Sequence, residues 1–106
     1  MPHLTTHVLD AARGVPAPGI ALTLTTSDGV PIATGTTDDD GRAGLGPDVL
    51  AAGDYSLRFD TGAYFAAQGT DAFYPFVTVT FTVTDDRHHH VPILLSPFAY
   101  STYRGS

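Results

Sequence analysis

With 106 residues, 42% of them apolar, the chain can build one domain around a single core and is too hydrophobic for a disordered segment. Five Lys and Arg against eleven Asp and Glu leave a formal charge of -6, which argues against a nucleic-acid surface, and the lack of cysteine excludes a disulfide framework and a thiolate nucleophile. No apolar run approaches the ~18 residues of a membrane helix, and the N-terminus lacks a basic segment leading into an apolar one, so a cytoplasmic chain without a secretory signal is expected.

LTTHVLD, residues 4–10, alternates with a period of two. Leu4, Thr6 and Val8 fall on one face of a strand, and Thr5, His7 and Leu9 on the other. Two prolines and two glycines over residues 13–19 predict a loop. Ile20, Leu22 and Leu24 then alternate with Ala21, Thr23 and Thr25 in a strand with one buried face, and Ser27-Asp28-Gly29 turns it into a return strand over Val30 to Thr37. Asp38-Asp39-Asp40-Gly41-Arg42 ends that strand. Three carboxylates in a row invite a calcium-loop reading, but Arg42 follows at once and no ligand pattern completes it. A tight solvated turn is expected instead, with Gly41 at a positive φ and Arg42 leaving in a fixed direction.

Residues 44–52 read as loop or a short edge strand, and Asp54 to Asp60 as a strand with Tyr55, Leu57 and Phe59 inward. The period breaks over residues 61–68, where alanines and paired aromatics before Gly69 predict one or two helical turns on a sheet edge. Residues 70–75 connect. Val77, Val79, Phe81 and Val83 alternate with Thr78, Thr80, Thr82 and Thr84 in the clearest half-buried strand of the chain. Asp85-Asp86 predicts a turn, with His88 to Leu95 returning beside that strand. Ser96-Pro97 then turns into a last strand from Phe98 to Tyr103. The expectation is an all-β, two-layer antiparallel sandwich of seven or eight strands with one short helix, residues 1–106 forming one domain. An up-and-down barrel is the alternative.

Five histidines carry the chemistry of interest. His88 and His90 have strand spacing and point to one side, with His89 turned away. With His7 as a third ligand they would suit a three-histidine zinc centre. Without metal, a histidine pair can take a proton from water and return it to a leaving nitrogen, while Arg42 holds a planar anion in its rigid donor fork. The plainest alternative makes them surface histidines without a task, and His3 and His89 are assigned to it.

LTTHVLD at 4–10, TDDDGR at 37–42, FDTGAYF at 59–65, FYP at 73–75 and the closing HVPILLSPFAYSTYRGS at 90–106 together resemble the 5-hydroxyisourate hydrolases, the enzyme group of the transthyretin-like family. The resemblance spans essentially the whole chain. Its most specific part is the YRGS ending, which the hormone-carrying transthyretins lack. The resemblance implies a sandwich that pairs edge to edge into dimers and then into a homotetramer, with active sites at the dimer–dimer interface. It also implies hydrolytic ring opening of 5-hydroxyisourate to 2-oxo-4-hydroxy-4-carboxy-5-ureidoimidazoline, without a cofactor. The family's catalytic groups fall on His7, Arg42 and His90, and its substrate-lining residues on His88, Tyr103, Arg104, Gly105 and Ser106. Three positions depart from the pattern: His89 stands where tyrosine is usual, Phe76 where an acidic residue is common, and Ala99 where glycine is frequent. None removes a proposed catalytic group. The rival from another class is a non-enzymatic small-ligand carrier, which would need an apolar channel; a structural module is a second rival, and it predicts a monomer without a polar cavity.

Overall fold

A computed structural model describes residues 2–106. The strands are β1 (Leu4–Asp10), β2 (Val15–Pro16), β3 (Ala21–Thr26), β4 (Pro31–Thr36), β5 (Arg42–Leu45), β6 (Gly53–Phe59), β7 (Val77–Val83), β8 (His89–Ser96) and β9 (Ala99–Thr102), with a helix α1 (Thr61–Ala66) between β6 and β7. One sheet runs β2-β1-β8-β9 with β5 also paired to β1; the other runs β4-β3-β6-β7. The expected two-layer sandwich and short helix are present. β2 forms where loop was expected, and β5 takes up the start of the stretch read as loop or a short edge strand, beginning two residues earlier; each pairs with part of one edge of β1.

The inward-facing sets read from alternation make the core. Leu4, Val8, Leu22, Leu24, Leu57, Phe59, Val77, Val83, Ile93 and Leu95 are buried to within 2% of full occlusion. Each such side chain contributes about 1.5–3 kcal/mol relative to exposure. Val79 and Phe81 are only half-buried, packed at the margin of that core.

The path after β7 differs from expectation. The Asp85-Asp86 turn does not fold β8 back beside β7; β8 crosses to the other sheet and pairs with β1 in parallel, Leu4 opposite His89 through Asp10 opposite Leu95. The sandwich is therefore not purely antiparallel. Two groups of hydrogen bonds hold the crossing. Asp85 grips the backbone N–H of Arg87 at 3.0 Å and its guanidinium at 2.8 Å, turning the chain early. The His3 and His89 rings then both donate to the Arg87 carbonyl, at 2.7 and 2.6 Å, and His89 N–H bonds the His3 carbonyl at 2.9 Å.

Neither His3 nor His89 is a surface residue, contrary to the sequence reading. Each is only 3% exposed, and their rings meet edge to face at 5.0 Å. Leu50 N–H donates to His3 Nδ1 at 2.7 Å, so Nε2 carries the proton given to Arg87. These two rings fasten the crossover that carries β8 to β1.

The acidic turn behaves as expected. Asp38 Oδ1 accepts from the N–H groups of Asp40 and Arg42 at 2.9 and 3.0 Å, and Gly41 has φ +75. Val8 N–H bonds the Gly41 carbonyl at 2.8 Å, which hangs the turn on β1 and fixes where β5 begins.

Candidate active site

Burying Leu4, Thr6 and Val8 turns Thr5, His7 and Leu9 to the outer face of the first sheet, and burying His89, Val91 and Ile93 turns His88, His90 and Pro92 the same way. The register then lays out two rows across three strands. Arg42 of β5, His7 of β1 and Pro92 of β8 form one; Gly44, Thr5 and His90 form the next. Gly44 presents no side chain, so the second row is hollow at one end.

That hollow is a cleft of about 510 Å³, within the usual size range of small-molecule sites. Thr5, Asp38, Arg42, His88, His90 and Ser106 line it. Four of the eight expected site residues, Arg42, His88, His90 and Ser106, are thus brought together from three separate parts of the chain. His7 stands beside them, half-buried in the adjoining row, but does not line the cleft of the single chain. Tyr103 and Arg104 line a separate cavity of about 250 Å³, with Val79 and Phe81 of β7, that shares His90 with the cleft.

Gly105 has a different role from lining. Its N–H donates to the His90 carbonyl at 2.9 Å, and a Cβ there would sit 2.3 Å from Cδ2 of the His90 ring. The imidazole occupies the space a side chain would need at that position, so the absence of one lets the tail pass His90 with Ser106 at the cleft.

Thr5 is the participant that the sequence reading missed. Its Oγ1 lies 2.6 Å from His88 Nε2 and 2.8 Å from His90 Nδ1, joining two rings whose centroids are 6.0 Å apart. The signal was present in the alternation, which put Thr5 on the face of His7. Only the parallel pairing, which hairpin logic did not supply, sets it beside His90.

Electrostatics favour a neutral His90. Burial holds its pKa below the usual imidazole value, and electrostatic interaction with His88, Arg42 and His7 acts in the same direction. A neutral imidazole has a free lone pair and can act as a base. The Arg42 guanidinium forms no hydrogen bond or ion pair among the described residues, so its donor fork is free for a ligand. Among the described residues no three His, Cys, Asp or Glu side chains are placed to share a metal ion, and the zinc-centre arrangement of His7, His88 and His90 does not form. His88 and His90 instead face each other through a hydroxyl.

Residues 4–105 match the model of the HIUase/Transthyretin family. The chain is 45% identical to a 5-hydroxyisourate hydrolase of Mus musculus, with 97% of this chain and 94% of the relative aligned. The structure of a Klebsiella pneumoniae 5-hydroxyisourate hydrolase superposes with a TM-score of 0.92 at 36% identity, covering 100% of both chains. Sea bream transthyretin in complex with thyroxine superposes with a TM-score of 0.87 at 37% identity, over 96% of this chain and 93% of that one. No helix among the described residues is long and apolar enough to cross a membrane.

Proposed function

The chain belongs to the HIUase/Transthyretin family and is a 5-hydroxyisourate hydrolase of urate degradation, and we propose that it opens the substrate ring in the cleft between β1, β5, β8 and the C-terminal tail. One observation carries the assignment of the site: Arg42, the His88/His90 pair and Ser106, distant from one another in sequence, converge on one cleft of suitable volume.

Arg42 pairs with the anionic edge of the purine-derived ring and sets its plane, so that much of the rate gain is positional. Neutral His90 takes a proton from the water that attacks the carbonyl next to the scissile nitrogen. The Ser106 hydroxyl at the cleft wall supplies a donor to the oxyanion that develops. The proton held by His90 then passes to the departing ring nitrogen. His7, one row away, joins in proton transfer and substrate contact once a neighbouring protomer closes the cleft. Tyr103 and Arg104 hold the tail and reach substrate in the same closed arrangement.

The proposal includes a homotetramer with sites at the dimer–dimer interface. Leu94, 38% exposed, accompanies the polar rows on the outer face, Tyr103 beyond β9 is 59% exposed, and β7 and β9 end their sheets with one edge each unpaired among the described residues. Light scattering is expected to give about four times the 11.1 kDa chain mass; a monomer at micromolar concentration would remove this part. A cytoplasmic setting belongs to the same proposal, and cell fractionation tests it. The carrier alternative requires an apolar wall, whereas the lining of this cleft includes a guanidinium, a carboxylate, two imidazoles and three hydroxyl residues.

The direct test follows the absorbance decay of freshly generated 5-hydroxyisourate, corrected for its spontaneous reaction, with wild-type protein and with the His90→Asn variant. Acceleration by the first and its loss in the second is expected. Equal acceleration by both would move the chemistry away from this cleft.

A further inference from the structure

Thr5 has one hydroxyl proton and two imidazole neighbours. Its Oγ1 is 2.6 Å from His88 Nε2 and 2.8 Å from His90 Nδ1, both full hydrogen-bond distances. A hydroxyl donates once and accepts elsewhere. It can therefore satisfy both rings only if one of the two facing nitrogens carries a proton and the other is bare. The arrangement is fixed by strand geometry: Thr5 stands opposite His90 in the parallel ladder, its neighbours Leu4 and Thr6 are locked into the core, and Thr6 Oγ1 bonds the Val91 carbonyl at 2.6 Å.

We propose that Thr5 is a positioning residue of the hydrolysis, tying the tautomers of His88 and His90 together so that the turn of one hydroxyl proton sets whether His90 Nε2 is a base or an acid. When Thr5 donates to His88 Nε2, it accepts from His90 Nδ1–H, and His90 Nε2 is bare. In that state His90 can take a proton from water. The cationic His90 then gives its Nδ1 proton to Thr5 Oγ1 as Thr5 gives its own to His88 Nε2. His90 is left neutral with the water's proton on Nε2, ready for the leaving nitrogen. His88, now cationic and exposed, loses its Nδ1 proton to solvent. Proton transfer to the leaving nitrogen drives the hydroxyl back: Thr5 returns a proton to His90 Nδ1, takes one from His88 Nε2–H, and His88 Nδ1 is reprotonated from water. Every proton is accounted for, and no other group is needed. The proposal rests on the hydrolase reading of the cleft and adds that the exposed His88 is its proton port.

Two variants and two readouts test it. Thr5→Val keeps the β-branched shape without the hydroxyl, and Thr5→Ser keeps the hydroxyl. Imidazole ¹⁵N spectra of the wild-type protein should show opposite protonation at His88 Nε2 and His90 Nδ1; this complementarity should persist in Thr5→Ser and vanish in Thr5→Val. On fresh 5-hydroxyisourate, kcat should fall by about 10²-fold in Thr5→Val, the lower end of a general acid–base contribution. KM should hold, and Thr5→Ser should restore kcat. The spectra do not depend on activity. A wild-type protein inert on this substrate would end the hydrolase reading while leaving the coupling visible. An active enzyme whose two nitrogens are not complementary, or whose Thr5→Val variant keeps wild-type kcat, would overturn the coupling alone. Should Thr5→Val fail to fold, the wild-type and Thr5→Ser spectra still decide.

Discussion

Replacing Gly105 by alanine adds one methyl group at the point where the tail crosses the His90 ring. The added Cβ would lie 2.3 Å from Cδ2, 3.2 Å from Cγ and 3.4 Å from Cβ of His90, and ordinary contact begins at 3.4 Å. Ring and tail must therefore part by about 1.1 Å, the difference between 3.4 and 2.3 Å. Two restraints oppose this: the Gly105 N–H bond to the His90 carbonyl at 2.9 Å and the Nδ1 bond to Thr5 at 2.8 Å. Whichever yields, either the imidazole leaves Thr5 or Ser106 leaves the cleft. A misplacement of about 1 Å at a reacting group can cost about 10²-fold in rate, and a loss of that order in kcat is expected. The stability loss should stay near the ~0.5–1.5 kcal/mol of the one hydrogen bond that yields, because no core side chain is touched. Initial rates on fresh 5-hydroxyisourate, a thermal melt and the His90 imidazole resonances measure the three consequences. Wild-type kcat with unmoved His90 resonances would refute the reasoning.

The acid limb of kcat/KM should lie below the usual imidazole range, since burial first and then the charges of His88, Arg42 and His7 disfavour the protonated ring; His88→Asn should move it upward, and a wild-type limb at or above pH ~6.5 would contradict the assignment. The same shift has a sign for stability. As pH falls, the unfolded chain protonates this histidine first, so stability declines through the ordinary imidazole range and the decline ends below the folded pKa, as pH-dependent chemical denaturation can show. His7→Asn and His90→Asn should each cost about 10²–10⁴ in rate, and the double variant far less than the product of the two if they serve one proton transfer; strict multiplicativity would separate their roles. Gly41→Ala should lower stability by at least the ~1–2 kcal/mol of a left-handed residue, because φ is +75 and the new Cβ would meet the Val8 carbonyl at 2.4 Å. At about 4–8 °C per kcal/mol for a domain of this size, the fall in Tm is easily measured, and an unchanged Tm would dismiss the turn as an anchor for β5.

Much of the fold was legible because alternation is a local signal. The inward sets of β1, β3 and β6 came directly from a period of two, and the helix came from the loss of that period after Asp60. What was not legible was pairing. A five-residue link with two aspartates reads as a hairpin, and nothing local says that Asp85 will instead grip Arg87 while His3, more than eighty positions away, closes on the Arg87 carbonyl. The buried His3–His89 contact was invisible for the same reason, since histidine in a polar stretch carries no mark of burial. Of the site residues that the family resemblance implies, Arg42, His88, His90 and Ser106 line one cleft. The resemblance could not separate Tyr103 and Arg104, which line the neighbouring cavity, from Ser106, nor show that Gly105 is needed for its lack of a side chain.

The parallel β1–β8 pair explains why the site is placed near both ends of the chain. β1 is joined along one edge to β8 and along the other to β5 and β2, so its outward residues sit on a strand with no free edge of its own. Alternate residues of β1 and β8 are locked into the core by Leu4, Val8, Val91 and Ile93. Groups that must hold a fixed relation, Thr5 to His90 and His7 to Arg42, are therefore carried by neighbouring rungs of one rigid ladder. Ser106 is different: among the described residues, the regular backbone pairing that ties the tail beyond β9 is the bridge between Gly105 and His90. The tail thus takes its position from His90 itself. A tail displaced from the cleft would release the His90 ring, and a displaced ring would release the tail. This mutual dependence gives the YRGS ending a physical reason to accompany the histidine before Val-Pro.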